Sequence, residues 1–189
     1  MKEELAGTTA ICVILRDKKI YCVNKNTFKR FYFLNFVLNA KIKIIKGNVG
    51  DSRAIASVRG RVQNLSYDHK PNNELEAKRI VAAGGWVEFN RVNGNLALSR
   101  ALGDFVFKKN DAKRAEEQIV TAYPDVDIKD ITSDHEFILL ACDGIWDVLS
   151  NEEVLEFVRS RIAQLIPPEI VSVLTFLLFL NILNFFVDN

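Results

Sequence analysis

Cysteine, histidine and proline are scarce in this chain, with 3, 2 and 4 copies among 189 residues. Cys12, Cys22 and Cys142 form an odd set with no CxxC spacing, each beside apolar residues, so no zinc site follows from them. They read as reduced, buried thiols of an intracellular protein, cytoplasmic or nuclear. His69 and His135 read as loop histidines. No block of one charge stands out: 25 Lys and Arg balance 24 Asp and Glu, so nucleic acid is not an expected partner. The start, Met1-Lys2-Glu3-Glu4, is charged and carries no apolar run, so no secretory signal is expected and Asn64-Leu65-Ser66 is a chance sequon.

Apolar residues are plentiful, 49% of the chain, enough for the core of one ordinary domain. The most informative stretch is Glu136 to Ser150. Phe137 to Cys142 has no polar face and reads as a strand buried on both sides, ending in Asp143-Gly144. Ser150 and Glu153 fit a capping box, and Val154, Val158 and Ile162 recur at helical spacing behind it. Asp143 and Asp147 therefore stand at the end of a rigid strand. Two carboxylates held there suit a hard divalent cation such as magnesium or manganese. From spacing alone, Asp-Gly is equally the usual turn dipeptide.

A second stretch, Gly47-Asn48-Val49-Gly50-Asp51-Ser52-Arg53, flanks a carboxylate with glycines and leads into a strand, Ala54 to Val58. It lacks the Gly-Lys-Ser/Thr ending of a phosphate-binding loop. Ala6 to Leu15 and Ile20 to Cys22 read as a hairpin. Asn72 or Asn73 caps a short helix that Gly84-Gly85 closes. Trp86 to Phe89 and Arg91 to Leu98 read as a hairpin turning at Asn93-Gly94. Strands are expected near 8–15, 52–58, 95–98 and 137–142. Between the first hairpin and Gly47, Val23 to Lys46 mixes Phe, Asn and Lys without Gly, Pro, Ser, Asp or Glu. Its poor periodicity reads as an insertion, with an amphipathic helix over the sheet as the alternative.

Taken together, Ala6-Gly7-Thr8-Thr9-Ala10, Gly47 to Arg53, Asp68-His69-Lys70-Pro71, Ala83-Gly84-Gly85-Trp86-Val87, Arg91 to Asp104 and Ala141 to Asp147 resemble the metal-dependent protein serine/threonine phosphatases of the PPM type, or type 2C. The resemblance implies an α+β fold, a β-sandwich of two antiparallel sheets flanked by helices, here truncated. It also implies magnesium or manganese at one end of the sandwich and hydrolysis of phosphoserine and phosphothreonine proteins by a metal-activated water. Asp143 matches a core metal ligand of such enzymes, and Asp51 and Asp147 match acids that help to bind a further, weaker metal. The Ala83 to Val87 region resembles the flap beside the substrate cleft.

The family's amino-terminal third, with its Glu-Asp pair, Asp-Gly-His-Gly-Gly motif, phosphate-binding arginine and general-acid histidine, has no counterpart, nor has its carboxy-terminal Asp-Asn motif. No catalytic residue is assigned for that reason, and this chain by itself is expected to be inactive. The expected organisation is a partial phosphatase domain over 1–164, interrupted by the 23–46 insertion, and an apolar non-family tail over 165–189. Both odd segments share a bias toward Phe, Asn, Ile, Leu and Lys that translated intron sequence would show. A non-catalytic PPM-like binding module is the alternative function. A tail anchor through Ile170 to Val187 is a third reading, but Asn181 and Asn184 interrupt the run, so a membrane is not an expected partner.

Overall fold

The computed structural model describes residues 6–16, 20–22, 32–35, 42–172 and 174–175. In chain order its strands are β1 (Gly7–Thr8), β2 (Ala10–Arg16), β3 (Ile20–Cys22), β4 (Tyr32–Asn35), β5 (Ile42–Val49), β6 (Arg53–Val58) and β7 (Arg61–Asn64). After helix α1 (Glu74–Ala82) come β8 (Val87–Glu88), β9 (Arg91–Val92), β10 (Leu102–Gly103), β11 (Asp125–Ile131) and β12 (His135–Ala141). Helices α2 (Asp143–Trp146) and α3 (Asn151–Ala163) follow.

Two four-stranded antiparallel sheets form the frame, one ordered β11-β5-β2-β3 and the other β4-β12-β6-β7. Alternation along β12 builds the layers. Ile138 and Leu140 face the first sheet and pack with Val13, Ala54, Ala56, Leu65 and Ile131. Phe137, Leu139 and Ala141 point the other way, onto Ile145, Trp146, Val154, Leu155 and Val158 of α2 and α3. The strand buried on both faces is thus explained by a sheet on one side and helices on the other. Helix α3 starts as its sequence dictates: Ser150 accepts from the Glu153 amide at 3.2 Å, and Glu153 accepts from the Ser150 amide at 2.8 Å.

The segment expected to be an insertion is corrected in part. Tyr32–Asn35 pairs with Phe137 to Leu140, and Ile42–Val49 is a central strand hydrogen-bonded to β2 on one side and β11 on the other. Central pairing satisfies the backbone of a stretch whose own sequence carries no clear strand alternation, so the strand is specified by its neighbours. The remainder of 23–46 lies outside the described residues. The tail is corrected likewise: residues 168–172 are helical, and Val171, 1% exposed, joins the core beside α3. Its continuation beyond residue 175 is outside the described residues.

Deleting residues 23–46 should therefore cause a marked loss of soluble, cooperatively folding protein, because β2 and β11 lose their shared partner over Ile42 to Lys46. Circular dichroism and urea unfolding of the deletion variant check this. A soluble variant with an undiminished unfolding midpoint would return the segment to the periphery.

The hairpin near the flap also differs from expectation. It turns at Phe89-Asn90, both at positive φ, while Asn93-Gly94 forms a second tight turn that leaves only a Val92–Leu96 bridge, so 95–98 is not a strand. Asn93 explains the shift: its backbone and side chain pair with Trp86 rather than opening a longer ladder.

Candidate metal centre

The β6–β12 ladder ends at the pair Ala141 and Arg53. Continuing outward, one strand runs through Ser52 to Asp51 and the other through Cys142 to Asp143, so antiparallel register brings two distant carboxylates to the same sheet end. Asp147 is added by the single turn of α2, its amide donating to the Asp143 carbonyl at 2.8 Å. Asp51 is 4% exposed, whereas Asp143 and Asp147 lie open to solvent.

Asp51 sits in the link where the chain leaves one sheet and enters the other. Gly50 there has φ +104°, and a Cβ would stand 2.3 Å from Thr9 Cγ2, so only glycine allows the crossing. Three consecutive residues grip this link. Asp68 receives Arg53 Nε at 2.9 Å and Nη2 at 2.8 Å. His69 accepts from the Gly50 amide on Nδ1 at 3.0 Å, and its own amide donates to the Gly50 carbonyl at 3.0 Å. Lys70 Nζ donates to Asp51 Oδ2 at 2.6 Å.

Because Nδ1 accepts, the His69 proton sits on Nε2 and donates to Asp125 Oδ2 at 3.0 Å. Asp125 Oδ1 in turn accepts from Arg100 Nη1 at 2.7 Å, and Arg100 also donates to buried Glu76. His69, 4% exposed, lies in a loop as expected and is a buried clamp there. The signal that could have revealed it was its place beside two residues that also bind the Gly50–Arg53 link. His135, 8% exposed, is likewise buried, and burial lowers its pKa.

Charges at this end are not independent. Burial raises the Asp51 pKa; Lys70 opposes that by hydrogen bond and charge, and the neighbouring Asp143 adds to it. Lys70 loses affinity for its proton through burial, but Asp51, Asp147 and Asp68 reverse this and leave its pKa raised. Arg53 is also raised, first by Asp68 and then through the charges of Asp147 and Asp51. The structure thus brings Asp51, Asp143 and Asp147 into one electrostatic neighbourhood shared with Lys70 and Arg53. It does not close them into a cage: among the described residues, no three His, Cys, Asp or Glu side chains stand together as a set that could hold a metal ion.

Carboxylate oxygens are the hard donors that magnesium and manganese take, but these three do not stand together as a set that would hold such an ion.

The sandwich and its acidic end invite comparison with known proteins. The family model described as protein phosphatase 2C matches residues 34–175. The chain belongs to the protein phosphatase 2C family. Among its relatives, a probable protein phosphatase 2C of Caenorhabditis elegans is 54% identical over 168 residues, covering 89% of this chain and 40% of that protein. Protein phosphatase 2C homolog 2 of Aspergillus fumigatus is 60% identical over 66% of this chain and 29% of its own length. The crystal structure of a phosphatase from Toxoplasma gondii superposes with a TM-score of 0.67 at 39% identity, over 71% of this chain and 43% of that one. This chain thus spans less than half the length of these relatives. The family match includes 34–46 and runs past Gln164 to residue 175, so those parts of the expected insertion and tail lie within the family domain. Protein phosphatase 2C enzymes generally depend on magnesium or manganese.

Proposed function

We propose that this chain forms part of a protein serine/threonine phosphatase, contributing the Asp51, Asp143 and Asp147 side of its metal end and the hairpin resembling the substrate flap. The observation that carries the reading is the convergence of Asp51 and Asp143 across the last pair of the β6–β12 ladder, in a chain 54% identical to a nematode protein phosphatase 2C. The substrates are proteins bearing phosphoserine or phosphothreonine, and the metal is magnesium or manganese. When bound, the ion supplies Lewis-acid activation of a phosphoryl oxygen and of water. The chain's own residues prepare its place. Gly50 and His69 fix the Asp51 link, Arg53 anchors it to Asp68 and to Asn151 Oδ1 at 2.7 Å, and the exposed carboxylates of Asp143 and Asp147 face solvent.

Two assays test this reading. Purified alone, the chain should show little or no manganese-dependent hydrolysis of phosphoserine peptides, since three carboxylates with no enclosing partners do not fix the ions such chemistry uses. Transplanted into the matching segment of the nematode relative, it should support hydrolysis that Asp143→Ala reduces by about a hundredfold or more, a loss of the size expected for a group supporting transition-state charge. A folded but inactive chimera would favour a non-catalytic binding module. Robust turnover by the isolated chain, lost in Asp143→Ala, would show that other residues complete the site.

A further inference from the structure

Strand β11 leaves one edge of the first sheet open. Among the described residues its one strand neighbour is β5, and every residue from Asp125 to Asp130 except Lys129 is exposed. Val126 and Ile128 are 63% and 57% exposed. They share a row with Asp130, on the face away from the core that takes Ile131. The Ile128 amide donates to Asp127 Oδ1 at 2.9 Å, so its proton is not given to β5 and lies on the open edge. By the alternation of an antiparallel ladder, Val126 and Asp130 turn their amides and carbonyls to the same edge. An open edge of this kind is a template for another strand.

The charges of β11 select which strand fits. Asp127-Ile128-Lys129 carries opposite signs on the two sides of its centre. In an antiparallel pair of two β11 strands about Ile128, each Asp127 therefore stands opposite the partner's Lys129. Both groups are within reach: the Asp127 side chain is 47% exposed with Lys46 at 3.4 Å, and Lys129 Nζ rests on the neutral carbonyl of Asn64 at 3.1 Å. Asp125 is already matched by Arg100 at 2.7 Å and adds no unpaired charge to such a seam.

We propose that β11 is a self-association edge, on which a second copy of the chain adds its own β11 in antiparallel register about Ile128. On pairing, each Ile128 amide passes from Asp127 Oδ1 to the carbonyl of the partner's Ile128, since facing residues of a hydrogen-bonded pair exchange both bonds. That releases each Asp127 carboxylate toward the partner's Lys129. The Asp127 and Lys129 positions form a pair of the other kind, in which side chains approach most closely. Val126 and Ile128 of the two copies make a short apolar strip on the outer face. A seam of 7 residues a side is small, so the dimer is weak. The inference does not depend on a metal ion.

Sedimentation velocity of the full chain over a concentration series reads the association, and the unsubstituted chain should pass from monomer to dimer as concentration rises. Lys129→Glu sets a like charge against Asp127 at both ends of the seam and should weaken the dimer by about tenfold. Asp127→Lys does the same with the opposite sign. Mixing the two variants restores both opposite-charge pairs and should return association to near the unsubstituted level. Hydrogen exchange of the unsubstituted chain needs no variant to fold. The Val126, Ile128 and Asp130 amides should exchange several-fold more slowly at high concentration, while those of Asp127 and Lys129, which face β5, should not change. Should Asp127→Lys fail to fold for want of its contact with Lys46, Lys129→Glu and the exchange pattern decide. A monomer at every concentration, a dimer indifferent to Lys129→Glu, or protection that avoids the alternate amides of β11 would overturn the proposal.

Discussion

Glu76→Ala should destabilise the folded chain by about 3–5 kcal/mol, the cost of removing one partner from a buried charge network. Glu76 is 3% exposed in the first turn of α1. It accepts from Arg79 Nη1 at 2.7 Å, Arg100 Nη2 at 2.6 Å and Ser99 Oγ at 2.6 Å. Truncation leaves two guanidinium groups inside without their shared carboxylate. Burial alone would raise the Glu76 pKa, but Arg100, Ser99 and Arg79 overcome it and hold it at about 2. A depressed carboxyl pKa contributes stability that is full above the ordinary value of 4.5 and is lost as pH falls through about 2. By linkage that contribution is about 3 kcal/mol. Urea unfolding of the parent should therefore weaken between these two pH values, and the alanine variant should lose that part of the acid dependence. A cost below about 1 kcal/mol, within the range of a surface ion pair, would show that the network is not a structural centre.

Phe137→Ala should cost about 3–5 kcal/mol, the usual range for truncating a buried aromatic ring. Phe137 is 1% exposed and packs from β12 into the layer shared with Ile145, Trp146, Val154 and Val158. Because β12 lies between β4 and β6, the cavity opens where sheet and helices meet. Leu75→Ala on the exposed side of α1, at a residue 77% exposed, is the control and should change stability by less than about 0.5 kcal/mol. Similar small effects at both positions would contradict the layered core.

Where the sequence carried local signals, the fold was legible. The unbroken apolar run of β12, the capping box at Ser150 and Glu153, the helix after Asn73 and the β2–β3 hairpin are all written within a few residues of themselves. The convergence of Asp51 with Asp143 was legible only through family resemblance, because the register that produces it pairs Arg53 with Ala141, with β7 to β11 and α1 between their two strands in the sequence.

The misses have a common physical origin: partners distant in sequence. Strand β5 was hidden because it carries Lys46, which is 7% exposed yet inward, its ammonium 3.4 Å from Asp127 on β11 and 5.8 Å from the Tyr67 ring. A lysine in a central strand reads as solvated until its carboxylate and aromatic partners are known. The burial of His69 and of Glu76 was missed for the same reason. Both are buried polar groups whose cost is offset by Asp125, Arg79 and Arg100, brought together only by the fold. At the flap hairpin the error was one of choice between two turns. Asn93-Gly94 is the stronger turn signal, yet the ladder closes at Phe89-Asn90, with Phe89 at φ 48° and 91% exposed.

Paramagnetic broadening by Mn2+ tests the central claim most directly, since it locates the ion without requiring turnover. Amide resonances of residues 50–52 and 143–147 should broaden first and together on substoichiometric Mn2+. Those of Val58 and His135, paired at the opposite end of the same two strands, should stay sharp, and Asp143→Asn should abolish the effect. Broadening centred elsewhere, or unchanged in Asp143→Asn, would contradict a metal end built by Asp51, Asp143 and Asp147.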